Sequence, residues 1–290
     1  MTATPDGVPR RDPAANAELA LLLEVAGTPK PGNVDRRRDL ADLRFEHFLA
    51  GAVGARPGLD RAAAGDPVGE AFEAAVAGMS EQSGGNTQFG CLLLLVPLVR
   101  AAAAGDLSRE GVRAVCEATT VADAAGFYRA FEHVDVAVTD PPEGMDALDV
   151  RRGADAVATL RERGLPLFDV LRESADLPDG RGDANAREWV EGFPRTFRAA
   201  AAIRADEGPI TDRTARAFLD LLAEAEDTLV RTQHGPEVAR EVRERADEVD
   251  TLDEAEAWAE ELVDRGVNPG TTADIAAAAL FVALERGVSV

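Results

Sequence analysis

The sequence predicts an all-α fold: a single helical-bundle domain of about a dozen helices with a buried central helix. Three observations lead there. Apolar residues recur at three- and four-residue spacings along most of the chain, which is the signature of one buried helix face. The stretch 86–104 is apolar almost all round, as a helix enclosed by others must be. Strand-like alternation occurs once, at 134–139 (VDVAVT), and one strand makes no sheet. Abundant alanine adds helix propensity and allows helices to approach closely.

In chain order, the first helix is expected over 14–26, opened by Asp12 as cap and Pro13 and closed at Gly27. A second over 40–55 carries Leu40, Leu43, Phe45, Phe48, Leu49 and Val53. Asp66 and Pro67 open a third that runs to Met79, and 86–104 follows as the central helix, bent at Pro97. Further helices are expected at 108–125, 127–138, 146–163, 183–205, 211–231, 236–248, 253–265 and 271–286. The Pro/Gly/Asp-rich stretches 139–144 and 177–182 read as loops inside one domain.

The chain has 290 residues, 53 acidic against 31 basic, and a net charge of −22. Such a balance opposes nucleic-acid binding, which needs a basic face. The apolar run 89–99 is too short to span a bilayer, so no membrane partner is expected. No apolar signal segment opens the sequence, and Cys91 and Cys116 sit in apolar helical patterns as buried thiols, so a cytoplasmic protein is expected. Only one of the basic residues, Lys30, is a lysine. An acid-rich composition whose basic residues are otherwise all arginine resembles halophilic proteins, although GC-biased coding gives part of the same picture. At about 1 M salt the Debye length is roughly 3 Å, so an acidic surface does not bar an anionic substrate.

Four segments break the helical pattern with residues that packing does not require. In 24–36 two prolines flank Lys30 and stiffen the loop, Gly32 and Asn33 can take positive φ, and Asp35 and Arg36 supply charge. This segment also reads as a capped helix end with a proline-rich connector. In 83–90 paired glycines precede a helix start, where amides and the helix dipole favour an anion, unless Asn86 merely caps the helix. In 268–274 Thr271, Thr272 and Asp274 could meet phosphate or hydrated Mg²⁺, or Thr271 and Asp274 could form a capping box. In 227–235 Asp227 falls near a helix C-terminus, where an anion needs compensation from Arg231 or a cation, and His234 reads as a turn residue.

Together and in this order the segments resemble the triphosphoribosyl-dephospho-CoA synthase family. Thr28-Pro29-Lys30-Pro31-Gly32 followed by Val34-Asp35-Arg36 is similar to its TPKPG…VDR pattern. Gly85-Asn86-Thr87 with Gly90 resembles G-x-N-T-x-x-G, Asp227-Thr228 resembles D-T-N-L, and Asn268-Pro269-Gly270 with Ala273-Asp274 resembles PGGSAD. The likeness runs from about residue 16 to 286. Gln88-Phe89 stand where the family often has His-Lys, and the family's T-G-A-R-G-E-A and G-F-P survive as Ala186-Arg187-Glu188 and Gly192-Phe193-Pro194.

The resemblance implies that a ribose hydroxyl of dephospho-CoA, or of another acceptor in a closely related transfer, attacks C1′ of ATP and that adenine leaves. It implies one all-α catalytic domain over 14–290 behind a flexible tail, 1–13, with ATP as substrate and Mg²⁺ as cofactor. Lys30, Gly32, Asn33, Arg36, Gly85, Asn86, Thr87, Thr271 and Thr272 become candidate phosphate contacts. Asp35, Asp227 and Asp274 become candidate Mg²⁺ ligands. Glu24, Asp35 and Glu188 are the catalytic candidates, with Glu24 or Glu188 acting as base or stabilising positive charge. Truncating Lys30 is expected to cost catalysis far more than stability. A catalytically inactive nucleotide- or CoA-binding module is the alternative, and a helical interaction protein a third reading.

Overall fold

The computed structural model describes residues 11–141, 144–177 and 182–290, and among these it holds 15 α-helices and no strand. The helices are α1 (Pro13–Ala26), α2 (Phe45–Ala64), α3 (Val68–Met79), α4 (Phe89–Ala103), α5 (Arg109–Glu117), α6 (Val121–Ala130), α7 (Val157–Arg163) and α8 (Leu167–Ala175). They continue with α9 (Ala184–Glu191), α10 (Pro194–Ala205), α11 (Ile210–Glu224), α12 (Thr228–His234), α13 (Pro236–Asp247), α14 (Leu252–Asp264) and α15 (Gly270–Glu285). Among the described residues no helix is long and apolar enough to cross a membrane.

The expected central helix is α4, and it is one of two. Both α4 and α15 bury nearly every side chain, and they pack on each other as well as on α1. A helix apolar on every face has nowhere else to go. Around them α2, α3, α5, α9, α10 and α11 form the outer layer. Small residues let the outer helices close in: a Cβ at Gly54 would stand 2.2 Å from the Gly78 carbonyl oxygen, so α2 and α3 meet backbone to backbone. A second apolar cluster, including Phe218, Leu222, Trp258 and Leu262, joins α11 to α13 and α14.

The first helix starts as read, with the Asp12 carboxylate accepting from the Ala15 amide at 2.7 Å and Gly27 closing it. Elsewhere six expectations change. The helix expected over 40–55 starts only at Phe45 and runs on past Pro57 to Ala64. The stretch 108–125 is two helices, because Thr120 and Asp123 form a capping box that starts α6. The expected helix 127–138 ends at Ala130, and 134–139 is neither helix nor strand. The start of 146–163 is two 3₁₀ turns, Asp146–Leu148 and Val150–Ala156, before α7. Gly192 and Phe193 both take positive φ, 74° and 58°, and split 183–205 into α9 and α10. Ala225 is extended and Asp227 caps a new helix, so 211–231 becomes α11 and α12. Helix α8, behind Pro166, was not expected at all. The expected bend at Pro97 does not interrupt α4. Residues 1–10 of the expected tail, and parts of both expected loops (142–143 and 178–181), lie outside the described residues.

Candidate active site

The four pattern breaks converge. Residues from all of them line one cavity of about 470 Å³, together with the start of α9 and the loop 135–141. Helices α4, α9, α12 and α15 all begin at its wall. Their dipoles therefore present partial positive charge to whatever occupies it.

The loop after α1 is anchored by two buried acid–base groups. Lys30, wholly buried, donates from Nζ to Glu24 Oε1 and to Asn33 Oδ1 (3.0 Å). Asn33 in turn donates to Asn268 Oδ1 at 2.8 Å, just ahead of α15. Gly32 has φ 75° and a Cβ there would sit 2.0 Å from the Val267 carbonyl oxygen, so only glycine lets the loop lie against that segment. Asp35, also wholly buried, accepts from Thr28 Oγ1 (2.8 Å), the Lys30 amide (3.2 Å), the Arg37 amide (2.8 Å) and Arg38 Nη1 (2.9 Å). Arg38 continues to Glu256 and Glu260 on α14.

At the start of α15, Asp227 Oδ2 accepts from Thr272 N (2.7 Å) and Oγ1 (2.8 Å), while its Oδ1 accepts from Leu229 N (2.9 Å) and Val230 N (3.0 Å). It is an N-cap, not a residue at a helix C-terminus. Amide and hydroxyl donors supply the compensation that Arg231 or a cation was expected to give; Arg231 pairs with Glu226. Asp274 forms no capping box with Thr271. Its Oδ2 accepts from Asn185 Nδ2 (2.8 Å) and its Oδ1 from the Cys91 thiol (3.1 Å). Thr271 instead accepts from Thr228 Oγ1 at 3.1 Å.

Of the expected residues, Glu24, Asn33, Asn86, Thr87, Thr271 and Asp274 line the cavity. Lys30, Asp35, Asp227 and Thr272 stand behind the wall and hold it. Three expectations are corrected. Arg36 is exposed and reaches Thr211 at 3.5 Å; Arg38 is the arginine this loop buries. Glu188 accepts from the Arg195 (3.2 Å) and Thr196 (2.9 Å) amides and so caps α10. Gly85, φ 74°, makes the turn before α4 and is not part of the wall. The expected metal trio is not assembled either. The oxygens of Asp35 and Asp227 are occupied by buried donors. Among the described residues no group of three or more His, Cys, Asp or Glu side chains could hold a metal. The described residues thus hold no all-protein cage for a metal, and a Mg²⁺ here would depend on the substrate's phosphates.

Sequence reasoning missed Asp183 and Asn185, which line the cavity from the start of α9. Their signal was there: an acid ahead of a helix, as Asp227 stands ahead of α12, with a second polar residue two positions on. Part of the lining is apolar, where Phe89, Phe127 and Phe131 pack edge to face or tilted at 4.7–6.4 Å between centroids. Asp135, Asp140, Asp149, Asp169 and Glu173 also line it, and no Lys or Arg does among the described residues.

The carboxyl groups in the wall and behind it are unlike one another. Burial pushes Glu24 above the usual carboxylate range, against the pull of Lys30. Burial also pushes up Asp183 and Asp227. Asp274 goes furthest, to about 7, because burial and the charges of Asp227 and Asp183 outweigh the bonds from Asn185 and Cys91.

A family model described as ATP:dephospho-CoA triphosphoribosyl transferase (CitG) matches residues 10–289. Among solved structures, the chain is similar to a protein of Archaeoglobus fulgidus assigned as a triphosphoribosyl-dephospho-CoA synthase, with a TM-score of 0.68 and 28% identity. The match covers 83% of this chain and 99% of that one. No curated protein matches.

Proposed function

The chain belongs to the ATP:dephospho-CoA triphosphoribosyl transferase family, and we propose that it performs this transfer in the cavity described above. ATP and 3′-dephospho-CoA would give 2′-(5″-triphosphoribosyl)-3′-dephospho-CoA and adenine. The observation that carries the reading is the convergence of all four family-like segments on one cavity, with Glu24 and Asp274 both in its wall. Two carboxyl groups in different environments suit a glycosyl transfer, in which one accepts a proton and the other stabilises or protonates.

In this reading the triphosphate lies against the starts of α4 and α15, beside Asn86, Thr87 and Thr271, where helix dipoles take the part of the missing cations. Glu24 accepts the proton of the attacking hydroxyl. Lys30 acts through Glu24, whose orientation it holds, rather than on phosphate. Magnesium enters with ATP as part of the substrate. The acidic, single-lysine composition supports work in molar salt inside the cell.

The test incubates purified protein with ATP, dephospho-CoA and Mg²⁺ at molar salt and follows free adenine by chromatography. Adenine that appears only with acceptor is the expected result. ADP in its place, or nucleotide binding without turnover, would overturn the reading.

Gly90 gives a second test. A Cβ there would lie 1.9 Å from Asp274 Oδ2 and 2.7 Å from Asn185 Nδ2, so Gly90→Ala must displace that pair. A displacement of about 1 Å can cost on the order of 100-fold in rate. A loss of that size is expected in kcat, with circular dichroism showing a folded helical protein. Unchanged kcat would mean that the pair is not at the reacting centre.

A further inference from the structure

We propose that Asn185 and Asp274 grip the departing adenine by its N6/N7 edge, Asn185 accepting from N6–H and Asp274 delivering a proton to N7. The proposal rests on the site reading above and adds to it the residues that recognise and release the base.

Asn185 is 6% exposed, and its Oδ1 is buried without a hydrogen-bond partner. Its Nδ2 is already committed to Asp274. A buried acceptor left unmade costs about 1–3 kcal/mol, and in a cavity wall it marks the place of a ligand donor. Next to it Asp274 accepts one bond at each oxygen, from Asn185 and from Cys91, and no cation pairs with it among the described residues. The charged groups around it are Asp183 ahead of α9 and Asp227 ahead of α12, with the Glu24–Lys30 pair on the side of Cys91. A carboxyl group so placed holds its proton near neutrality, and a neutral carboxyl group donates.

An acceptor beside a donor matches adenine, which presents N6–H₂ next to the N7 acceptor. Guanine presents O6 there and would set acceptor against acceptor. Gly90 leaves the pair its room.

The step balances. The acceptor's 2′-hydroxyl oxygen bonds to C1′ of ATP while the C1′–N9 bond breaks and its electron pair passes to the purine. The Asp274 proton goes to N7, so adenine leaves neutral. The hydroxyl proton goes to Glu24. Asp274 ends as carboxylate and Glu24 as acid, and solvent exchange restores both.

7-Deaza-ATP keeps the N6 amine but has a carbon in place of N7. With dephospho-CoA as acceptor, wild-type kcat is expected to fall about 100-fold or more on this nucleotide, the usual scale of general acid catalysis. Asp274→Asn should lose a similar factor with ATP and narrow the difference between the two nucleotides at least tenfold. Asn185→Ala should raise KM for ATP and weaken the preference for ATP over GTP. Wild-type turnover of 7-deaza-ATP within threefold of ATP overturns the proposal, as does an Asp274→Asn variant that keeps the full discrimination. The wild-type arm needs no variant to fold. Adenine release from ATP with equal release of 7-deazaadenine sinks this inference alone, whereas no release from ATP sinks the site reading as well.

Discussion

Replacing Lys30 with methionine is expected to lower folding stability by about 3–5 kcal/mol as well as to abolish turnover. The lysine is wholly buried and Glu24 is 2% exposed, so removing one partner leaves an uncompensated charge in a low-dielectric interior. Domains are stable by only about 5–15 kcal/mol, so the variant should show a clearly lower urea midpoint. Removing both charges, Lys30→Met with Glu24→Gln, should recover most of the stability and none of the activity. That double variant separates the two roles. If Lys30→Met lost activity with an unchanged urea midpoint, the lysine would be contacting substrate instead of Glu24. The expectation from sequence, that catalysis would suffer far more than stability, supposed a lysine in an open loop; the fold closes that loop.

Asp274→Asn is expected to lower turnover about 100-fold and yet stabilise the protein above neutral pH. The folded carboxyl is raised to about 7 from an ordinary 3.8. A raised carboxyl binds its proton more tightly when folded, so its stabilising contribution is complete below about pH 3.8 and is lost as pH rises towards 7. Between pH 5.5 and 7 this amounts to about 2 kcal/mol, at 1.36 kcal/mol per pH unit. The stability of wild type relative to Asp274→Asn should therefore fall over that range and level off above it. Urea titrations of both proteins at pH 5.5, 7 and 8.5 would check this. A constant difference across the series would mean that Asp274 does not titrate there.

Much of the architecture was legible because helix signals are local. Asp12, Pro13 and Gly27 mark the ends of α1 within a few residues of sequence, and the apolar period of 86–104 requires burial whatever surrounds it. The errors also have local causes. Phe193 takes a left-handed conformation that few non-glycine residues adopt, so nothing in the pattern of 183–205 announced the break. The run 127–138 kept a helical period past Ala130, but beyond it the chain leaves the helix to line the cavity.

The candidate site divides in the same way. From the sequence alone came the all-helical class, the family resemblance and the four segments, since proline, glycine and cap residues act on their own neighbourhood. Which member of each segment faces the cavity was decided only by tertiary packing. Asp227 meets Thr272 across 45 positions and Cys91 meets Asp274 across 183, and those meetings turn one carboxylate into a cap and leave another without a cation. The charge state of a buried group depends on the partners that packing brings to it, and a sequence carries no mark of a neighbour so distant along the chain.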